Sequence, residues 1–283
     1  METGYFNNRF FPVDEIAISP NDRGFLFADG VYEVLRWYNG FFFDAEAHLS
    51  RLKKSLDGIR IDWKDADSFI YIAEELIRRN DLADKPATVY FQVTRGAAPR
   101  NHAFPSPSVP PTIYSFARLL RTDSELISKG ISVITGKDTR WTRCNIKSVS
   151  LLPNILGFQE AREAGCQEYI FIRNGLVTEG SHANVFIVFG NEIRTHPESE
   201  SILSGITRKN IIRLAMEAGI SVREVAVPAS ELPEADEIFT SNTTSEIAPV
   251  ISVDGKSVGS GKPGPVTLEL RLKFDAMINS LRH

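Results

Sequence analysis

Residues 31–38, V-Y-E-V-L-R-W-Y, alternate inward and outward positions and are rich in branched and aromatic side chains, the pattern of a strand with one buried face. Asn39-Gly40 then predicts a two-residue hairpin turn, with 41–43 as the return strand. Next the period lengthens. Ala47, Leu49, Leu52 and Leu56 keep near-helical spacing behind Asp44, a capping residue, and predict a helix over 44–56. Phe69, Ile72, Ala73, Leu76 and Ile77 predict a second helix over 67–79. Before these, a short hairpin is expected around Asn7-Asn8 and a short strand over 15–19. Strands follow at 87–94 and 112–117, separated by the proline-rich loop R-G-A-A-P-R-N-H-A-F-P-S-P-S-V-P-P, whose length suggests function.

The pattern changes near residues 119–123. We expect a small N-terminal domain over 1–119, a linker over 120–123 and a larger domain over 124–283. The second part opens with a short helix and a strand at 131–135. A helix begins near Pro153 and stops at Gly165. Strands at 168–172, 184–189 and 192–195, a helix over 207–218, strands at 221–227, 237–240 and 249–253, and a helix over 265–281 complete the chain. Helices and strands mix in both halves, so the fold class is α/β or α+β in two domains.

Composition narrows the function. A net charge of -4, with no basic stripe, argues against nucleic acid. No apolar run reaches the roughly 18 residues of a membrane span, and the N-terminus lacks the form of a signal peptide. Two cysteines, Cys144 and Cys166, make no disulfide framework, and the histidines at 48, 102, 182, 196 and 283 form no H-x-x-x-H pair, so no metal site is expected. A cytoplasmic protein fits these features.

Candidate chemistry centres on T-R-C-N-I-K-S-V-S-L-L-P-N, residues 142–154. Lys147 stands among Ile146, Val149, Leu151 and Leu152. An apolar setting disfavours a charged amine, and a neutral amine is the nucleophile that a Schiff base with an aldehyde requires. Four further features bear on it. L-V-T-E-G-S-H-A-N-V-F places Glu179 beside a glycine and a serine, where a carboxylate can pair with a protonated ring nitrogen. I-L-S-G-I-T-R opens a predicted helix at Gly205, Ile206 and Thr207, a ready anion site. T-S-N-T-T-S-E supplies Thr243 in a hydroxyl-rich turn. Arg100 and His102, two apart on the proline-rich loop, can hold a carboxylate. Taken singly, each has a plain structural explanation, such as a solvated loop or an ordinary helix start.

The set is ordered along the chain: Lys147, then Glu179, Ser181, Asn184 and Phe186, then Ile193, Thr195, Leu203, Gly205, Ile206 and Arg208. It resembles class IV, fold-type IV, pyridoxal-phosphate-dependent aminotransferases over essentially the whole chain. D-R-G-F-L-F-A-D-G-V-Y-E-V, Y-F-Q-V-T-R-G-A-A-P-R-N-H-A-F-P and R-W-T-R-C-N-I-K-S look most like the family's D-amino-acid transaminases. The resemblance implies a small α+β domain and a larger pseudo-barrel α/β domain. It implies pyridoxal 5'-phosphate on Lys147, with Glu179 at the ring nitrogen and Leu203 on the ring face. Arg51, Ile206, Thr207 and Thr243 would bind the phosphate. Tyr32, Arg100 and His102 match the carboxylate trap of the D-specific members, and the family is homodimeric, with the loop Arg100 and His102 reaching the neighbouring active site. A D-amino acid would give its amino group to a 2-oxo acid. The alternative reading for this chain is a branched-chain L-amino-acid or (R)-amine transaminase of the same fold, and after it an aminodeoxychorismate lyase. Ala28, where a glycine is more usual, and His182 and Ala183, which replace small polar residues, depart from the pattern.

Overall fold

The computed structural model describes residues 2–121 and 128–281. The chain forms two compact units: Met1–Arg121 with Ile146–Ser150, and Thr122–Asn145 with Leu151–His283.

The first unit is built on an antiparallel sheet of β1 (Thr3–Phe6), β2 (Arg9–Pro12), β3 (Gly30–Tyr38), β4 (Pro86–Thr94) and β5 (Thr112–Leu119), ordered β2-β1-β5-β4-β3. Alternation along β3 buries Val31, Glu33 and Leu35 and leaves Tyr32 and Val34 half-buried on the other face. Helices α1 (Arg23–Phe27), α2 (Ala45–Gly58) and α3 (Phe69–Arg79) accompany the sheet. Leu49, Leu52 and Leu56 of α2 and Phe69, Ile72 and Leu76 of α3 share a core with Val31, Leu35, Val89, Phe91 and Val93. Each such side chain contributes roughly 1.5–3 kcal/mol on leaving water.

Several local expectations change. Residues 15–19 form no strand; a 3-10 turn covers Val13–Glu15, and Ile18 is exposed, so the alternation there has no sheet to join. Residues 41–43 make one bridge, Trp37 to Phe42, because β3 takes β4 as its full-length partner. Asp44 adopts a left-handed conformation (φ 49°) and its side chain caps nothing. Helix α1 is too short for periodicity to reveal; the Asp22 side chain accepts from the Gly24 amide at 2.8 Å and starts it. It ends at Ala28 with φ 54°, a left-handed position that explains why glycine suits this site.

The second unit contains β6 (Ile131–Lys137), β7 (Glu168–Arg173), β8 (Leu176–Gly180), β9 (Asn184–Phe189), β10 (Glu192–Thr195), β11 (Ser221–Glu224), β12 (Glu237–Asn242), β13 (Glu246–Val253) and β14 (Lys256–Ser257). Its order is β11-β10-β9-β12-β13-β6-β7-β8, with β14 on β13. Strand β8 also pairs β9 through Glu179 and Asn184, so six strands close into a barrel around Val133, Ile170, Val185, Ile187, Ile238 and Val250. Strand β8 escapes a sequence reading: it is five residues long and wholly inside the sheet, so it lacks an alternating face. Helices α4 (Leu152–Glu163), α5 (Ile206–Glu217) and α6 (Pro265–Ser280) complete the unit. The short helix expected just after residue 123 falls mostly outside the described residues, as does part of the 120–123 linker. No described helix is long and apolar enough to cross a membrane.

Candidate active site

Lys147 belongs to the first unit, although the sequence boundary assigns it to the larger domain. Its segment pairs with the edge of β3: the Tyr32 amide donates to the Lys147 carbonyl at 2.9 Å and the Val149 amide to the Gly30 carbonyl at 3.0 Å. The Lys147 amide donates to Ser55 Oγ on α2 at 3.1 Å. These bonds fix the backbone and leave the half-buried side chain with its Nζ 4.2 Å from the centre of the Tyr32 ring. Tyr32 in turn stacks on Tyr90 at 5.7 Å.

Arg51 lies on α2, facing β3. Its Nε and Nη2 donate to the two oxygens of Glu33 at 2.7 and 2.9 Å, and His48 Nδ1, one turn earlier, lies 2.9 Å from Glu33 Oε2. Glu33 is wholly buried. Burial alone raises a carboxyl, but the Arg51 charge and the hydrogen bonds of Arg51 and His48 outweigh it and hold Glu33 far below the usual range. Burial holds His48 below its ordinary value despite Glu33. Neither Glu33 nor His48 was expected; an acid at an inward strand position and a basic pair spaced i, i+3 are the signals that point to them.

Arg100 and His102 are exposed on their loop and meet at Phe27 of α1. The Arg100 guanidinium lies 5.1 Å from the ring centre, and the His102 ring lies 5.5 Å from it. Tyr32 belongs to a different cluster, with Lys147 and Tyr90.

In the second unit, Glu179 sits within β8. Its Oε2 accepts from the Leu203 amide at 2.9 Å and from Asn184 Nδ2 at 3.2 Å, while Arg140 donates to Oε1. Arg140 is anchored by Asp138, from Nε to Oδ1 at 3.0 Å and from Nη2 to Oδ2 at 2.9 Å. Burial disfavours the Arg140 charge, but Asp138 and Glu179 more than compensate and raise its pKa. Arg140 lies three residues beyond the end of β6 and had no sequence signal beyond its place before the lysine segment.

Helix α5 starts at Gly205 with no side-chain cap, which leaves the first amides, those of Ile206 and Thr207 among them, turned outward for an acceptor. Only glycine fits there: a Cβ would collide with Asn184 Oδ1. Leu203 is half-buried two residues before Gly205. Thr243 stands in the β12–β13 turn, where the Asn242 side chain accepts from the Thr244 and Ser245 amides at 2.9 and 2.7 Å. Next to it, Ser241 Oγ is buried with no hydrogen-bond partner among the described residues.

The model of the amino-transferase class IV family matches residues 30–253, a span that contains Lys147, Glu179 and both glycines that begin the key elements, Gly30 and Gly205. The chain belongs to this family. It is 44% identical over 277 residues to a D-alanine aminotransferase of Bacillus licheniformis, covering 97% of this chain and 96% of that one. A D-alanine aminotransferase of Staphylococcus aureus (strain COL) is 37% identical over 281 residues, 99% of both chains. Among solved structures, the branched-chain amino acid aminotransferase of Escherichia coli superposes with a TM-score of 0.91 at 28% identity, over 98% of this chain and 94% of that one. The branched-chain amino acid aminotransferase of Thermobaculum terrenum, in its PLP form, gives 0.87 at 26% identity, over 99% of this chain and 94% of that one.

Proposed function

We propose that this protein is a pyridoxal-phosphate-dependent transaminase that moves the amino group of a D-amino acid, such as D-alanine, to a 2-oxo acid, such as 2-oxoglutarate. The reading is carried by near-full-length identity of 44% to a D-alanine aminotransferase, in a chain that keeps Lys147 and a rigidly held Glu179. The branched-chain enzymes match the fold as well, with TM-scores of 0.91 and 0.87, but at 28% and 26% identity they support the branched-chain reading less than the 44% relative supports the D-amino-acid one.

The side chains present suit the cofactor. Lys147 offers an amine for an aldehyde, Glu179 a carboxylate for a ring nitrogen, and Leu203 an apolar surface for a ring face. Arg51, the Ile206 and Thr207 amides and the hydroxyls of Thr207 and Thr243 suit a phosphate. The partnerless Ser241 Oγ, beside the Thr243 turn, is a further donor without protein company among the described residues. When bound, pyridoxal 5'-phosphate supplies an electron sink that makes the substrate Cα–H acidic.

The chain's own residues do the rest. Lys147 Nζ takes the proton from the substrate Cα and later returns one, as general base and then acid. Glu179 would accept a hydrogen bond from a protonated ring nitrogen, its carboxylate already held in place by Arg140. Glu33 fixes the direction of the Arg51 fork. Tyr32, Arg100 and His102 hold the substrate carboxylate. The Cα–H must face Lys147, so the side on which the carboxylate is held decides which enantiomer reacts.

Arg100 and His102 serve a neighbouring subunit in this proposal, which requires a homodimer. Support comes from their exposure and from their separation from the Tyr32 cluster in their own chain. A small domain over 1–119 and a cofactor-binding domain over 124–283 belong to the same proposal, as does a cytoplasmic setting, in keeping with two free, buried cysteines.

The decisive assay compares D-alanine and L-leucine as donors to 2-oxoglutarate. Preference for D-alanine is expected; preference for L-leucine would replace the proposal with the branched-chain reading. Mixing Lys147→Ala with Arg100→Ala subunits, each impaired by itself, tests the dimer. Recovery of D-alanine activity is expected, since the hybrid holds one complete site; no recovery on subunit exchange would place Arg100 in its own subunit's site.

A further inference from the structure

The loop that carries Arg100 and His102 is gripped from beneath. Arg23 of α1 is 4% exposed, and its Nη1 donates to the carbonyl of Asn101 at 2.6 Å and to that of Ala103 at 3.3 Å. One guanidinium nitrogen therefore holds the residues on both sides of His102. Arg23 Nε donates to Asp29 Oδ2 at 2.8 Å. Arg95 binds both oxygens of the same carboxylate, each at 2.8 Å, and lays its guanidinium 3.6 Å from the centre of the Phe104 ring. Arg95 also donates to the carbonyls of Ile59 and Arg60, at 2.6 and 2.9 Å. Asp29 is thus a hub that joins two arginines, one under each end of the segment 101–104.

Phe27 completes the arrangement. Its ring takes Arg23 at 4.8 Å, Arg100 at 5.1 Å and His102 at 5.5 Å. Arg100 and His102, both exposed, therefore share one aromatic support. An arginine alone in solvent samples many rotamers, and an aromatic face restricts them while leaving the guanidinium edge available to a carboxylate.

We propose that Phe27, backed by the Arg23–Asp29–Arg95 lattice, is a positioning residue that sets the spacing of Arg100 and His102 and so determines how tightly a substrate carboxylate is held. This rests on the carboxylate reading of Arg100 and His102 given above. Phe27 itself donates no hydrogen bond to the substrate; it acts by holding the two groups that do. Losing the ring frees both side chains and leaves the proton-transfer step at Lys147 intact.

The test uses the holoenzyme and four variants. Phe27→Leu keeps apolar bulk and removes the ring, Phe27→Tyr restores the ring, Arg23→Lys keeps the charge and removes the fork, and Arg100→Ala removes the carboxylate ligand. Four quantities are read: KM and kcat for D-alanine, the competitive inhibition constant of propionate, and amide hydrogen exchange over residues 100–104. Phe27→Leu is expected to raise KM and the propionate constant together by about fivefold to tenfold, the worth of the lost ring contacts. Its kcat stays within about twofold, its loop amides exchange faster, and Phe27→Tyr restores all three. Arg23→Lys is expected to shift the same quantities in the same direction.

If Arg100→Ala raises KM while Phe27→Leu leaves it unchanged, the positioning role is wrong and the carboxylate reading stands. If Arg100→Ala changes neither KM nor the propionate constant, the carboxylate reading falls and the positioning role with it. If Phe27→Leu lowers kcat and thermal stability without raising the propionate constant, Phe27 is a packing residue only, and the proposal is overturned.

Discussion

Glu33→Gln tests the buried cluster behind Arg51. The carboxylate takes two hydrogen bonds from Arg51, at 2.7 and 2.9 Å, and one from His48 at 2.9 Å. Glutamine has nearly the same shape but offers one oxygen, so its amide nitrogen must turn toward Arg51 or toward His48. Turned toward His48, in the Oε2 place, it also opposes Arg51 Nη2 and keeps only the bond from Arg51 Nε; turned toward Arg51 Nε, in the Oε1 place, it sets donor against donor there and keeps the bonds from Nη2 and His48. Either way the negative charge that faces Arg51 is gone, at a position wholly closed to solvent. Hydrogen bonds to charged groups contribute about 1.5–3 kcal/mol each, and breaking a buried ion pair costs about 3–5 kcal/mol. We therefore expect a loss of about 3–5 kcal/mol, a large share of the roughly 5–15 kcal/mol that stabilises a typical domain. With a urea slope of about 2 kcal/mol/M this moves the unfolding midpoint by roughly 1.5–2.5 M. Trp63, 8% exposed and in the first unit, reports the transition by fluorescence, with Trp141→Phe as a common background to silence the second unit. Cofactor concentration must be held equal, because bound ligand adds its own stability. A midpoint shift below about 0.5 M would refute the buried-pair reasoning. A full shift with unchanged cofactor affinity would separate Glu33 from any role in aiming Arg51.

Lys147→Ala should abolish the visible absorbance of bound cofactor and lower transamination by more than about 10³-fold, in line with loss of a general base and covalent anchor; a variant that keeps the visible band would sink the assignment of Lys147. Glu237→Ala removes the acceptor for the Val266 and Thr267 amides, at 2.9 and 2.8 Å, and for Thr267 Oγ1. As the side chain that starts α6, its loss should cost about 1–2 kcal/mol in a thermal melt without changing KM. Acid should destabilise the first unit in two stages. His48 has a depressed folded pKa, so the unfolded chain binds the extra proton and stability falls as pH drops below about 6.5, the ordinary histidine value. Glu33 has a depressed folded pKa as well, and its contribution is lost only below the ordinary carboxylate range, toward its folded value. Midpoints measured from pH 8 to about pH 3 should decline monotonically; a rise between about pH 6.5 and 5 would contradict the His48 sign, and a rise below about pH 4 the Glu33 sign.

Local pattern carried most of the fold. The alternation of β3, the spacing of Leu49, Leu52 and Leu56 and the apolar face of α3 are visible because each element has one dry and one wet side. Strand β8 was hidden because it has no wet side, and α1 because five residues hold too few turns. Candidate chemistry was legible where residue types are unusual for their setting. Lys147, Glu179 and the Arg100–His102 pair stand out in the chain and lie in the structure on three separate supports: the β3 edge, the barrel seam and Phe27. The partners of those residues were not legible. Arg140 with Glu179, and Glu33 with Arg51, are contacts between positions 39 and 18 apart, and no local rule brings such pairs together. Ala28 shows the reverse: its departure from glycine was visible in the sequence, and its meaning appeared only with a φ of 54°.

The pairing of Ile146–Ser150 with β3 also governs how this protein can be divided and in what order it can be completed. Strand β3 is the last strand of its sheet, and the Lys147 segment covers part of its open side. A fragment stopped at Arg121 would carry the helices and all five strands but expose the Tyr32 amide and the Gly30 carbonyl along that side. Such a bare edge invites pairing with other chains, so the fragment should self-associate through this edge, which the intact chain covers. During synthesis the same edge stays bare until residue 150 has left the ribosome. A five-residue peptide spanning 146–150, supplied in excess or grafted behind Arg121 through a flexible linker, should therefore act as a solubilising strand for the fragment.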